Sequence, residues 1–116
     1  MTTERSANSA ADRRIVRRRN LKHSVGITVR KGTMGLGRNV AAGGIELSAD
    51  GVQLEVTVEF KKGDEVEIGL TGVGRSRPMT LVADVRWCQR EEGGKTFLIG
   101  ASFRRRLTHN EMAEFV

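Results

Sequence analysis

The sequence predicts an all-β domain, a six-stranded antiparallel β-barrel with a short C-terminal α-helix. Three observations carry that expectation. Apolar and polar residues alternate with a period of two in six separate stretches, the connections between them are rich in Gly, Pro, Asp and Lys, and a single helix-start signal stands near the end. At 116 residues the chain has the length of one domain with its own core.

The strongest stretch is "VQLEVTVEF", where Val52, Leu54, Val56, Val58 and Phe60 alternate with Gln53, Glu55, Thr57 and Glu59. That period puts one face in a core and the other in water. The same alternation runs through Val25, Ile27 and Val29; through Val66, Ile68 and Leu70; through Met79, Leu81, Ala83, Val85 and Trp87; and through Phe97, Ile99, Ala101 and Phe103, with "GGIEL" as a shorter sixth strand. The separators "KKGDE", "TGVGRSRP" and "REEGGK" suit tight connections, so consecutive strands are expected to pair antiparallel. A barrel hides its edges, which favours it over an open sheet. In "LTHNEMAEFV", Thr108 can cap a helix with Glu111 at its third position, so residues 108–116 are read as the helix.

The charge is unevenly placed. Residues 1–31 hold nine Lys or Arg against Glu4 and Asp12, a net charge of +7, whereas residues 32–116 hold eleven against twelve acids, a net charge of −1. Most of this sits in "RRIVRRR", five arginines among residues 13–19. Residues 1–12, small and polar without periodicity, read as a disordered tail, residues 13–22 as a basic arm, and residues 13–116 as one domain.

Several functions are disfavoured. His23 and His109 stand apart and without the partners a nucleophilic or metal site needs, so neither an enzyme nor a metal centre is expected. In "GTMGLGRNVAAGG" a dinucleotide fingerprint fails, because position 40 is valine and no helix follows. Phe60, Trp87, Phe97 and Phe103 fall on the inward phase of their strands, which leaves no aromatic platform for single-stranded nucleic acid. The one cysteine, Cys88, fits a reducing cytoplasm, and no apolar run suggests export or membrane insertion.

What remains is a pair of features. Arginine offers a planar fork that matches a phosphate, or the O6/N7 edge of guanine, and here the forks repeat at four-residue spacing as Arg13 and Arg17 or Arg14 and Arg18. In "GIELSADGVQLEV" a strand turns between Ser48 and Gly51. Ser48 offers a hydroxyl and an N–H, Gly51 permits a positive φ or a close backbone approach, and Glu46 could accept the N1–H and N2–H of guanine.

Together these features resemble the PilZ domain family. The arginine pair precedes the first strand, an [Asp/Asn]-x-Ser-x-x-Gly-like motif heads a later one, and "VADVRW" and "FLIGASFRRRL" follow in the family's order and style, over about residues 12–116. The resemblance implies a six-stranded β-barrel that acts as a non-enzymatic receptor for the bacterial second messenger cyclic di-GMP, with no further cofactor and a downstream protein partner that no residue identifies. It assigns Arg14 and Arg18 to the first motif, with Arg13 as an additional arginine and Arg17 as the alternate partner. Glu46, Ser48 and Gly51 take the second motif, on the opposite wall of the ligand. Glu46 departs from the family's Asp or Asn; Asn39, Ala41 and Gly44 form the other register, which keeps the Asn and loses the Ser. The alternatives are a PilZ domain that has lost its ligand and docks proteins, and a small basic barrel that binds single-stranded nucleic acid.

Overall fold

The computed structural model describes residues 19–32, 34, 36–72 and 77–116. Arg13, Arg14, Arg17 and Arg18, together with the tail at 1–12, lie outside them. Seven strands are present: β1 (Arg19–Asn20), β2 (Gly26–Lys31), β3 (Ala41–Leu47), β4 (Gly51–Val56), β5 (Glu65–Thr71), β6 (Met79–Arg90) and β7 (Phe97–Phe103), followed by helix α1 (His109–Phe115). They form one curled antiparallel sheet in the order β1-β3-β4-β7-β6-β5-β2. The barrel-like, all-β class expected from the alternation is therefore present, with β1 as an additional two-residue strand contributed by the basic arm.

The alternation does its expected work inside the curl. Val52, Leu54, Val56, Val66, Ile68, Leu70, Leu81, Ala83, Val85, Ile99 and Ala101 all point into a single buried core. Each buried aliphatic side chain of this size contributes about 1.5–3 kcal/mol relative to exposure.

Pairing departs from the simplest expectation. Consecutive strands do pair at β3–β4, β5–β6 and β6–β7, but β4 lies against β7 and β2 against β5. The remaining edges, β2 and the start of β3, approach each other. Val40 N–H donates to the Val29 carbonyl at 2.8 Å. The Asn39 side-chain oxygen accepts from Val29 N–H at 2.9 Å and from Ala41 N–H at 3.0 Å. The asparagine of the alternative motif register is thus spent on closing the curl.

Two expectations about strands fail for identifiable reasons. The alternation of "VQLEVTVEF" continues to Phe60, yet β4 stops at Val56. Val56 stands opposite Phe97, the first residue of β7, so on that side the ladder has no further partner. Phe60 still reaches the core. The second failure concerns Trp87, expected to point inward. Between Val85 and Trp87 the β6–β7 register shifts by one residue: Val85 faces Ala101, Trp87 faces Gly100, and Arg86 is the residue skipped. Such a bulge reverses the side-chain phase beyond it. Trp87 therefore lies on the outer face, 38% exposed, while Cys88 takes the inward phase against the core.

Helix α1 carries the anticipated capping box. Thr108 accepts from Glu111 N–H at 3.1 Å, and the Glu111 carboxylate accepts from Thr108 N–H at 2.8 Å. Phe115 is fully buried beneath the helix. The root of the arm is tied to the same place, because Lys22 N–H donates to the Phe115 carbonyl at 2.9 Å and its ammonium to the Ala113 carbonyl at 3.2 Å.

Candidate functional site

The turn between β3 and β4 is held by its own short-range bonds. Ser48 N–H donates to the Gly51 carbonyl at 2.9 Å. The Ser48 hydroxyl oxygen accepts from Asp50 N–H at 3.3 Å and Gly51 N–H at 3.1 Å, and its O–H donates to the Gly51 carbonyl at 3.3 Å. Serine favours such turns because its hydroxyl mimics a backbone group. The two groups that the sequence offered to a ligand are thus both used by the turn, and Ser48 is buried. Gly51 is needed for close approach rather than for a positive φ: a Cβ there would collide with the Ala101 carbonyl oxygen of β7. These two residues fix the shape and depth of the hairpin end.

Beside this turn a transverse row crosses the outer face of the sheet. The registers place Asn20 opposite Glu46, Glu46 opposite Gln53, Gln53 opposite Gly100, and Gly100 opposite Trp87. Paired residues of an antiparallel ladder point to the same side, so these side chains share one face. Glu46 and Gln53 are half-buried. The indole of Trp87 lies over Gly100 and takes the space a side chain there would fill, since a Cβ at Gly100 would collide with its Nε1, Cε2 and Cζ2. The row therefore combines a carboxylate, a carboxamide and an aromatic surface within the span of four strands.

The basic arm enters at the end of this row. Arg19, exposed, stands opposite Leu47, the residue before Ser48. Of the sequence-predicted site residues, Glu46, Ser48 and Gly51 thus lie together around one hairpin, with the arm's first described residue beside them.

The sequence missed Trp87 as a surface group. Its signal was available in "VRWCQR", where Trp87 and Cys88 are adjacent and both apolar, a break in strict alternation that marks a change of phase.

A second arginine run, Arg104 to Arg106, follows β7 and is fully engaged. Arg104 joins β5 to β6: its Nη2 lies 2.7 Å from Asp84 Oδ1 and also bonds Glu65. The hydrogen bonds from Arg104 hold the Asp84 carboxyl below its ordinary value and push the guanidinium above its own. Arg105 grips Glu111 with bonds of 2.9 and 3.0 Å. That bond first, and the Thr108 N–H second, lower the Glu111 carboxyl to about 2. Arg106 reaches Asp50 in the turn at 3.1 Å.

His23 and His109 are both exposed and lie on separate elements. No group of three or more metal-capable side chains gathers among the described residues. Among them, too, no helix is long and apolar enough to cross a membrane.

A curled antiparallel sheet with a braced hairpin and a polar and aromatic outer row defines a barrel-like all-β domain. The PilZ domain family model matches residues 11–116, nearly the whole chain, and the chain belongs to that family. PilZ domains are known as receptors for cyclic di-GMP and are generally non-catalytic binding domains. No curated protein matches the sequence.

Proposed function

We propose that this chain is a non-enzymatic cyclic di-GMP receptor that binds the dinucleotide on its outer face, between the N-terminal arginines and the β3–β4 hairpin. The observation that carries the reading is the register of β1. Arg19 is laddered to Leu47 at the edge of the hairpin. The arginine-rich stretch precedes Arg19 directly in the sequence, and Arg19 is paired one residue from Ser48.

In this reading Arg14 and Arg18, with Arg13 and Arg17 beside them, supply guanidinium forks to phosphates and guanine edges. Glu46 accepts from a guanine, Ser48 and Gly51 hold the hairpin in shape, and Trp87 offers a base its exposed aromatic surface. The two phosphates of the ligand meet the region of greatest positive charge. The domain acts in the cytoplasm, where its single Cys88 stays reduced, and passes the signal to a protein partner.

The outward Trp87 removes the argument that no aromatic remains for single-stranded nucleic acid. Binding a strand by stacking calls for several exposed aromatics, however, and Phe60, Phe97, Phe103 and Phe115 are buried. Calorimetric titration with cyclic di-GMP, with cyclic di-AMP and GTP as competitors, tests the reading. Saturable binding that GTP does not displace supports it; no heat at millimolar ligand, or tight binding to random single strands at physiological salt, overturns it.

A further inference from the structure

We infer that Gln53 is a further ligand-binding residue of this face, hydrogen-bonding the edge of the purine that stacks on Trp87. The inference rests on the receptor reading above and adds a residue outside both sequence motifs.

Its basis is the order of the outer row. The indole lies over Gly100, and the ladder partner of Gly100 on the next strand is Gln53. Directly opposed residues have Cβ positions about 5 Å apart, and each further strand adds about 4.8 Å. A base resting on the indole therefore presents its edge first to Gln53, with Glu46 one strand beyond. Gln53 alternates with the buried Val52 and Leu54, so its carboxamide is held on the outer side by the core packing of its neighbours.

The chemistry of the pair suits guanine. A carboxamide donates through its NH2, and an ionised carboxylate only accepts. Gln53 donating to O6, with Glu46 accepting from N1–H and N2–H, satisfies one acceptor and two donors along a single edge. Adenine offers its 6-amino group to the carboxamide oxygen of Gln53, but it sets an unprotonated N1 against the Glu46 carboxylate and has no amino group at C2, so the carboxylate is left unsatisfied. A site built to hydrogen-bond one edge rejects an analogue that lacks it far better than an apolar pocket can.

The test uses tryptophan fluorescence of the full chain, because Trp87 is the one tryptophan and reports stacking directly. Gln53→Ala, and Gln53→Val as a variant of higher strand propensity, should keep the parent's melting temperature and its full quench at saturation. Both should bind cyclic di-GMP about tenfold to a hundredfold more weakly, the loss expected for one well-made edge contact. The preference over cyclic di-AMP, which the Glu46 carboxylate carries, should be kept. A parent that is quenched by cyclic di-GMP while both variants retain its affinity would overturn the role of Gln53 and leave the receptor reading standing. A parent that shows no quench and no calorimetric binding would overturn both.

Discussion

Two arginine runs of similar density stand at opposite ends of this chain and have different fates. In "FRRRL", Arg104 is met by Asp84 of β6 and Glu65 of β5, Arg105 by Glu111 of α1, and Arg106 by Asp50 of the hairpin. Four acids from four parts of the fold answer three cations, so this run is part of the scaffold. In "RRIVRRR" the neighbouring sequence supplies only Glu4 and Asp12, and the run is laddered into the sheet at its last arginine. Arginine content by itself is therefore uninformative. The placement of carboxylates decides how far a guanidinium is committed to the scaffold, and in the reading proposed above the N-terminal run serves the ligand.

The comparison can be broken most directly at the arm. Arg14→Ala and Arg18→Ala should each weaken cyclic di-GMP binding about tenfold to a hundredfold, corresponding to roughly 1–3 kcal/mol per guanine contact. Their melting temperatures should stay at the parent's value. Calorimetry beside a thermal melt checks both, and unchanged affinity in the two variants would exclude this register. Arg104→Ala should do the reverse. It leaves Asp84 and Glu65 facing each other across β5 and β6, so the melting temperature falls by a few degrees while ligand affinity is kept.

The smallest effect belongs to Arg105 and Glu111, and it is pH-dependent. The Glu111 carboxyl is lowered in the folded protein from 4.5 to about 2 by the Arg105 bond and the Thr108 cap. Its stabilisation of α1 is therefore present in full above pH 4.5 and is lost as the pH falls through about 2. Glu111→Gln should melt slightly below the parent at neutral pH, and the gap should close in acid. Circular dichroism melts from pH 7 downward follow it; a gap that widens in acid would contradict this sign.

Much of the fold was legible because burial enforces alternation. The inward residues of β4, β5 and β7 are the ones the period of two selects, and the capping box of α1 is written in Thr108 and Glu111. The illegible parts depend on partners far away in sequence. β1 is two polar residues, Arg19 and Asn20, with no period to detect, and it exists because the edge of β3 is available to it. β4 ends at Val56 although its pattern runs on, because β7 begins opposite that residue. The site was half legible for the same reason. Glu46, Ser48 and Gly51 could be read from a local turn, whereas the row through Gln53, Gly100 and Trp87 is assembled only by cross-strand register.

That register turns on one residue. With Arg86 present, the strand gains a step that faces nothing, and the largest aromatic of the chain emerges on the outside. Deleting Arg86 would make Trp87 follow the inward Val85 directly, so the indole would stay outside opposite Gly100 and Cys88 inside opposite Ile99, now without a bulge. The extra residue is what reconciles an inward Val85 with an outward Trp87 two positions later; a strand that kept a strict zigzag through all three would have put the indole in the hydrophobic filling.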